Sequence, residues 1–139
     1  MEKTFEIIDH TADIGIVSYG TDIKQVFSNT AFGLFSLIAE LDNIQESLQR
    51  DIEISSQDIE SLLVEWLNEL LYIFDVDHIA FKRFEFAELN DRELKVRCFG
   101  DKINPSQQEI KREVKAATYH MLAIDRKNNG YRAQVIFDI

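Results

Sequence analysis

Within five residues, Asp9-His10-Thr11-Ala12-Asp13, the sequence sets two carboxylates and an imidazole between two apolar runs. Carboxylate and backbone oxygens in a short polar connection of this kind are the material of hard-cation sites. The same residues also suit a plain turn, in which an aspartate caps local backbone amides and the histidine makes an ordinary polar contact. Spacing alone weighs the two about equally. At the far end, Val135-Ile136-Phe137-Asp138-Ile139 reads as a buried strand, which would hold the terminal carboxylate in place where most termini fray. A fixed α-carboxylate is one more anionic oxygen ligand. Lys115, Thr118 and His120 form a third candidate set. If that segment is extended, alternation puts Ala117 and Tyr119 on the Lys115 face and Thr118 with His120 on the other. A sheet segment with satisfied polar groups is therefore the favoured reading for all three.

The elements that must carry these residues follow from periodicity. Thr4 to Ile8 and Ile14 to Tyr19 predict short strands on either side of the polar turn, and Gly20 ends the second. Asp22 is a helix cap with Gln25 three positions on, and Ile23, Val26, Phe27, Thr30, Leu34, Leu37, Ile38 and Leu41 recur at helical spacing. Asp51 to Ser55 predicts a strand. Ile59, Leu62, Leu63, Trp66, Leu67, Leu70, Leu71 and Phe74 then make an apolar stripe on a second helix. Between Ile79 and Leu89 the alternation changes phase from Phe81 to Phe84, which predicts a bulge, and Asn90-Asp91 turns the chain into a strand from Glu93 to Phe99. A Gly100 to Ser106 loop follows. Asn129-Gly130 between Thr118 to Ile124 and Tyr131 to Phe137 predicts a terminal hairpin. The fold class is α+β: a single two-layer domain over residues 1–139, with a largely antiparallel or mixed sheet packed against two amphipathic helices.

Composition narrows the function. The chain has 139 residues, 45% of them hydrophobic, five glycines and one proline, a composition that argues against disorder or repeats and gives ample material for one core. The lone Cys98 excludes an intramolecular disulfide and a Cys-rich zinc site, in keeping with the cytoplasm. It alternates with Leu94 and Val96 as a buried small hydrophobe. No apolar run approaches the roughly 18 residues that span a bilayer, and the first residues lack a signal-peptide pattern, so no membrane association is expected. A formal charge of −10 disfavours direct gripping of nucleic-acid phosphates. From Asp51 to Ala80 there are eight acids and no Lys or Arg, whereas Lys111, Arg112, Lys115, Arg126, Lys127 and Arg132 gather towards the C-terminus. The acidic stretch reads as a solvated helix face or as a face that docks on a basic partner. Trp66, on the helical stripe, reads as core and not as a base-stacking platform.

Four segments in register resemble one family: His10-Thr11-Ala12-Asp13-Ile14-Gly15 with Tyr19-Gly20, the Leu62–Tyr72 helix, Glu113–His120, and Phe137-Asp138-Ile139. Together they resemble archease, in the same order and near the same chain length. The resemblance implies that Asp13, Asp138 and Ile139 bind a divalent metal. Calcium suits oxygen-only ligation, with magnesium or manganese as alternatives, and Ile139 would contribute its main-chain carboxylate. Asp9 and His10 would flank the metal, and Lys115, Thr118 and His120 would belong to a functional surface. It further implies a non-catalytic accessory protein of an RtcB-type RNA-splicing ligase, promoting ligase guanylylation and multiple turnover and meeting tRNA only through the ligase.

Two other classes remain open. A small metal-dependent phosphoester hydrolase would use Asp9, Asp13 and Asp138 for the metal and His10 as general base. A chaperone-like binding module would rest on the charge asymmetry alone. The sequence contains no Gly-rich phosphate loop, nucleophile elbow or Cys-x-x-Cys motif.

Overall fold

The computed structural model describes residues 4–9, 13–104 and 110–139. It contains two antiparallel sheets and two long helices. Strand β1 (Phe5–Asp9) pairs with β2 (Asp13–Gly20), which leads to helix α1 (Ile23–Ile38). A 3-10 turn at Leu41–Asn43 precedes β3 (Leu48–Ser55), helix α2 (Ile59–Asp77), β4 (Ile79–Leu89) and β5 (Glu93–Lys102). Then come β6 (Ala116–Ala117), β7 (Ala123–Lys127) and β8 (Gly130–Asp138). The larger sheet runs β1-β2-β8-β6 with β7 also on β8, and the smaller runs β3-β5-β4. No helix among the described residues is long and apolar enough to cross a membrane.

Both helices begin where the sequence places them. Asp22 caps α1 by accepting from the Gln25 amide at 2.8 Å, while Gln25 reaches back to accept from the Thr21 amide at 2.9 Å. Asp58 caps α2 through the Ser61 amide at 2.8 Å, and that backbone N–H holds its carboxyl below the usual range. Helix α1 packs on β1, β2 and β8 of the larger sheet and on β4 of the smaller. Helix α2 packs on β3, β4 and β5 and on β6 at the edge of the larger sheet. The core therefore lies where helices and both sheets meet. Trp66 is fully buried, edge-on to Phe84 and Phe86, with its indole N–H donating to the Phe27 carbonyl at 3.2 Å. Beneath α1, the Thr30 hydroxyl donates to the Val26 carbonyl, which leaves the Ser18 hydroxyl to donate to Thr30 at 2.6 Å. Cys98 is buried between the sheet and the helices, and burial pushes its thiol well above the usual range.

The expected bulge is present, with register shifts between Phe81 and Arg83 and again between Phe86 and Glu88. Several boundaries differ from the sequence expectation. Strand β3 starts three residues before Asp51. Gly100 to Lys102 is strand and not loop, because β5 continues against Ile79–Phe81 and has room to do so only with glycine at 100. A Cβ there would lie 1.9 Å from the Ala80 carbonyl oxygen. The terminal hairpin turns at Asn128-Asn129, one residue before the expected pair, with Lys127 opposite Gly130. Asn128 takes the left-handed conformation, φ 54°, which asparagine tolerates. Gly130 serves close approach instead, since a Cβ there would sit 2.4 Å from the Gly20 carbonyl oxygen.

Thr118 to Ile124 is not one strand. Strands β6 and β7 lie on the same side of β8, and the chain leaves the sheet between them, passing through a left-handed Met121 with φ 52°. Lys115 to His120 is therefore not uniformly extended, and its alternation breaks after Ala117. The basic residues do not form one cluster either. Lys111 sits at the end of α1, donating to the Ser36 carbonyl at 3.0 Å, while Arg126 and Lys127 lie in the hairpin that abuts the start of that helix.

A carboxylate pair at one end of the larger sheet

Asp13 and Asp138 are direct partners across the β2–β8 ladder. Their chain neighbours Ile14 and Phe137 are buried against the helices. Alternation therefore sends both carboxylates to the opposite, outward face, where directly opposed side chains stand about 5 Å apart. Asp13 is half-buried and Asp138 exposed. Two like charges in this position repel, and among the described residues neither is in an ion pair.

The end of β8 is fixed from three sides. Strand β2 flanks it along its length, β6 pairs Ala116 with Asp138 and Ala117 with Phe137, and the Lys115 amide donates to the Asp138 carbonyl at 2.8 Å. The side chain of Ile139 packs against the core. Two residues back along β8, the Ile136 carbonyl accepts from both the Thr118 amide, 3.0 Å, and the Thr118 hydroxyl, 2.8 Å. The His120 amide donates to the same hydroxyl at 3.3 Å. Thr118 thus acts as a clamp on the terminal strand. Lys115 is exposed beside Asp138, and His120 is exposed at the turn that follows.

One contributor escapes the sequence reading. Asn68 of α2 holds β6 with a two-way bond, accepting from the Ala117 amide at 2.7 Å and donating to the Ala117 carbonyl at 3.2 Å. It ties the helix to the short strand that pairs with Asp138. Its signal was an amide side chain inside a helix, where asparagine is a poor former unless it has a specific partner.

A hard cation fits this chemistry in part. Two carboxylates and nearby main-chain oxygens are suitable donors, yet among the described residues no three His, Cys, Asp or Glu side chains gather at one point. Further oxygen ligands must come from main chain, from water or from the Asp9–Ala12 connection. The backbone of Asp9 pairs with Ile14, next to Asp13. The Asp9 side chain and all of His10 lie outside the described residues.

The acidic stretch divides on inspection. Asp51 binds Arg97 through both oxygens, at 2.8 and 3.3 Å, Asp77 binds Arg50 at 3.0 Å, and Asp58 is the cap. Glu53 lies 3.6 Å from Lys95. Glu60, Glu65, Glu69 and Asp75 on α2 remain without an ion pair among the described residues, and Tyr72 and Val76 are exposed on the same helix.

The fold is that of an α+β protein with two antiparallel sheets around two helices. A model of the Archease protein family (MTH1598/TM1083) matches residues 5–139, and the chain belongs to the archease family. It is 37% identical to protein archease of Methanosarcina mazei over 99% of this chain and 97% of that protein. It is 38% identical to protein archease of Pyrococcus abyssi over 99% of each. The solution structure of Methanobacterium thermoautotrophicum protein 1598 superposes with a TM-score of 0.85, at 35% identity, over 98% of this chain and 99% of that one. An archease from Thermotoga maritima, described as a possible chaperone, shares the fold with a TM-score of 0.64 at 20% identity, over 100% of this chain and 98% of that one.

Proposed function

We propose that this protein is a non-catalytic accessory protein that activates an RtcB-type RNA-splicing ligase, promoting guanylylation and multiple turnover through a divalent-metal site. The observation that supports this reading is the direct pairing of Asp13 with Asp138 on the outward face of the sheet. A fold gains nothing from two unpaired anions set opposite each other unless a cation joins them. Asp13, Asp138 and Ile139 would hold the metal, calcium in the first instance. The ion would supply positive charge at the surface that meets the ligase.

The chain's own residues do the positioning. Asn68 and Thr118 fix the edge and the end of β8, and with them Asp138. The unpaired acids of α2 lie on the helix that carries Asn68 and offer a second, charged contact. The nucleotide chemistry belongs to the ligase. The test is multiple-turnover ligation by an RtcB-type ligase with wild type, Asp13→Ala and Asp138→Ala, each shown by circular dichroism to be folded. Loss of stimulation in both variants supports the assignment, and full activity in either refutes it. A short tag fused after Ile139 should weaken calcium binding and stimulation more than the same tag before Met1. Equal behaviour would remove Ile139 from the ligand set.

A further inference from the structure

At the other end of the same sheet, seven residues along β2 and so about 23 Å from the carboxylate pair, lies a cavity of about 470 Å³. It opens between the end of β2, the first turns of α1 and the β7–β8 hairpin. Its volume falls within the range of small-ligand sites, roughly 300–1,000 Å³. The glycines at 20 and 130 let its walls approach closely. A Cβ on Gly20 would meet the Gln25 Cβ at 2.7 Å, and one on Gly130 the Gly20 carbonyl.

The hydrogen-bonding groups facing it are already oriented. The Gln25 side-chain oxygen accepts from the Thr21 amide, a group that can only donate, so the Gln25 NH2 is left for a ligand. The Asn29 NH2 donates to the Tyr19 carbonyl at 2.6 Å, a group that can only accept, so the Asn29 oxygen is left. One turn apart on α1, these side chains present a donor and an acceptor held by bonds that also fix which atom points where. Both line the cavity, with Asn128 and Asn129 on the opposite wall. Tyr131 adds an aromatic surface, with the Arg126 guanidinium 5.5 Å from its ring centroid. Lys127 also lines the cavity, and among the described residues neither it nor Arg126 has a carboxylate partner, in a chain of net charge −10. The end of α1 is not the anion holder, because Asp22 already occupies the Gln25 amide.

A fixed donor beside a fixed acceptor, an aromatic ring and an unpaired cation together match one ligand chemistry. We propose that this cavity binds a nucleoside monophosphate unit, its base edge on Gln25 and Asn29 and against Tyr131, its phosphate at Lys127. Every base carries adjacent donor and acceptor groups, so the cavity recognises the unit more than one base. The unit is either a free nucleotide or the phosphorylated end of an RNA strand. This inference does not rest on the metal reading.

The test is an amide NMR titration of the full chain with AMP, GMP, CMP and UMP, their nucleosides, and 5′-phosphorylated dinucleotides. Shifts should centre on Gly20, Gln25, Asn29 and Gly130, and nucleosides should bind about tenfold more weakly than nucleotides, the scale of one charge-assisted contact. The exposed Lys127→Ala should erase that difference while keeping nucleoside binding, and Tyr131→Leu should weaken both. Tighter binding of the dinucleotides identifies a strand end, and tighter binding of mononucleotides a free ligand. Absence of saturable shifts at these amides up to about 10 mM of every compound, or an unchanged nucleotide preference in Lys127→Ala, overturns the proposal.

Discussion

Asp13→Asn separates the cost of the carboxylate pair from its use. The substitution keeps size and strand geometry and removes one of two charges opposed across β2 and β8. At about 5 Å in water two unit charges repel by ~0.8 kcal/mol, and opposed like charges on a sheet cost up to about 1 kcal/mol. In chelator and low salt the variant should be the more stable protein by about that amount. For a domain of this size that is a rise in Tm of ~3 °C. Calcium reverses the order. At a hundred times its dissociation constant a ligand stabilises the wild type by about 2.7 kcal/mol. If losing one anionic ligand weakens binding about a hundredfold, the same calcium concentration stabilises the variant by only ~0.4 kcal/mol. Melting curves against calcium should therefore cross, with wild type below the variant without metal and several degrees above it with metal. Two parallel curves, or a variant less stable in chelator, would refute the reasoning that the pair is a repulsive site held for a cation.

Three further outcomes follow from named contacts. Asn68→Leu leaves both backbone groups of Ala117 without a partner from α2, which should lower stability by about 1–3 kcal/mol in urea denaturation and weaken calcium binding through the loosened β6 edge. Reversing Glu60, Glu65 and Glu69 to Lys should slow association with the ligase, and raising salt should slow the wild type in the same direction, because exposed charges are screened within about 10 Å at 0.1 M. An association rate insensitive to both would leave α2 as a solvated face. Asp58 is held below its ordinary value by the Ser61 amide, so its contribution is complete above the unfolded carboxyl value, roughly pH 4, and fades as pH falls through the lower folded value. Asp58→Asn keeps a cap without a titrating group, so the difference between the two proteins' Tm should shrink between about pH 5 and pH 2.

The sequence by itself determined the local elements. The start of the first helix was legible in Asp22 with Gln25 and that of the second in the stripe beginning at Ile59, because capping and the 3.6-residue period involve only near neighbours in the chain, whereas the Asp58 cap emerged only in the structure. The phase change after Phe81, the burial of Trp66 and Cys98, and the chemical types at positions 13 and 138 were legible for the same reason. Only the tertiary structure decided that the strands divide into two sheets and that the edge beside β8 is interrupted at Thr118–Leu122. It also decided that half the acids of the Asp51–Ala80 stretch already have a partner or a cap. Above all it decided that Asp13 faces Asp138 residue for residue. Register between strands from opposite ends of a chain is set by which face each must bury and by the helices packed on it, and a slip of one residue would turn these carboxylates into the core. No local pattern in either strand carries that information.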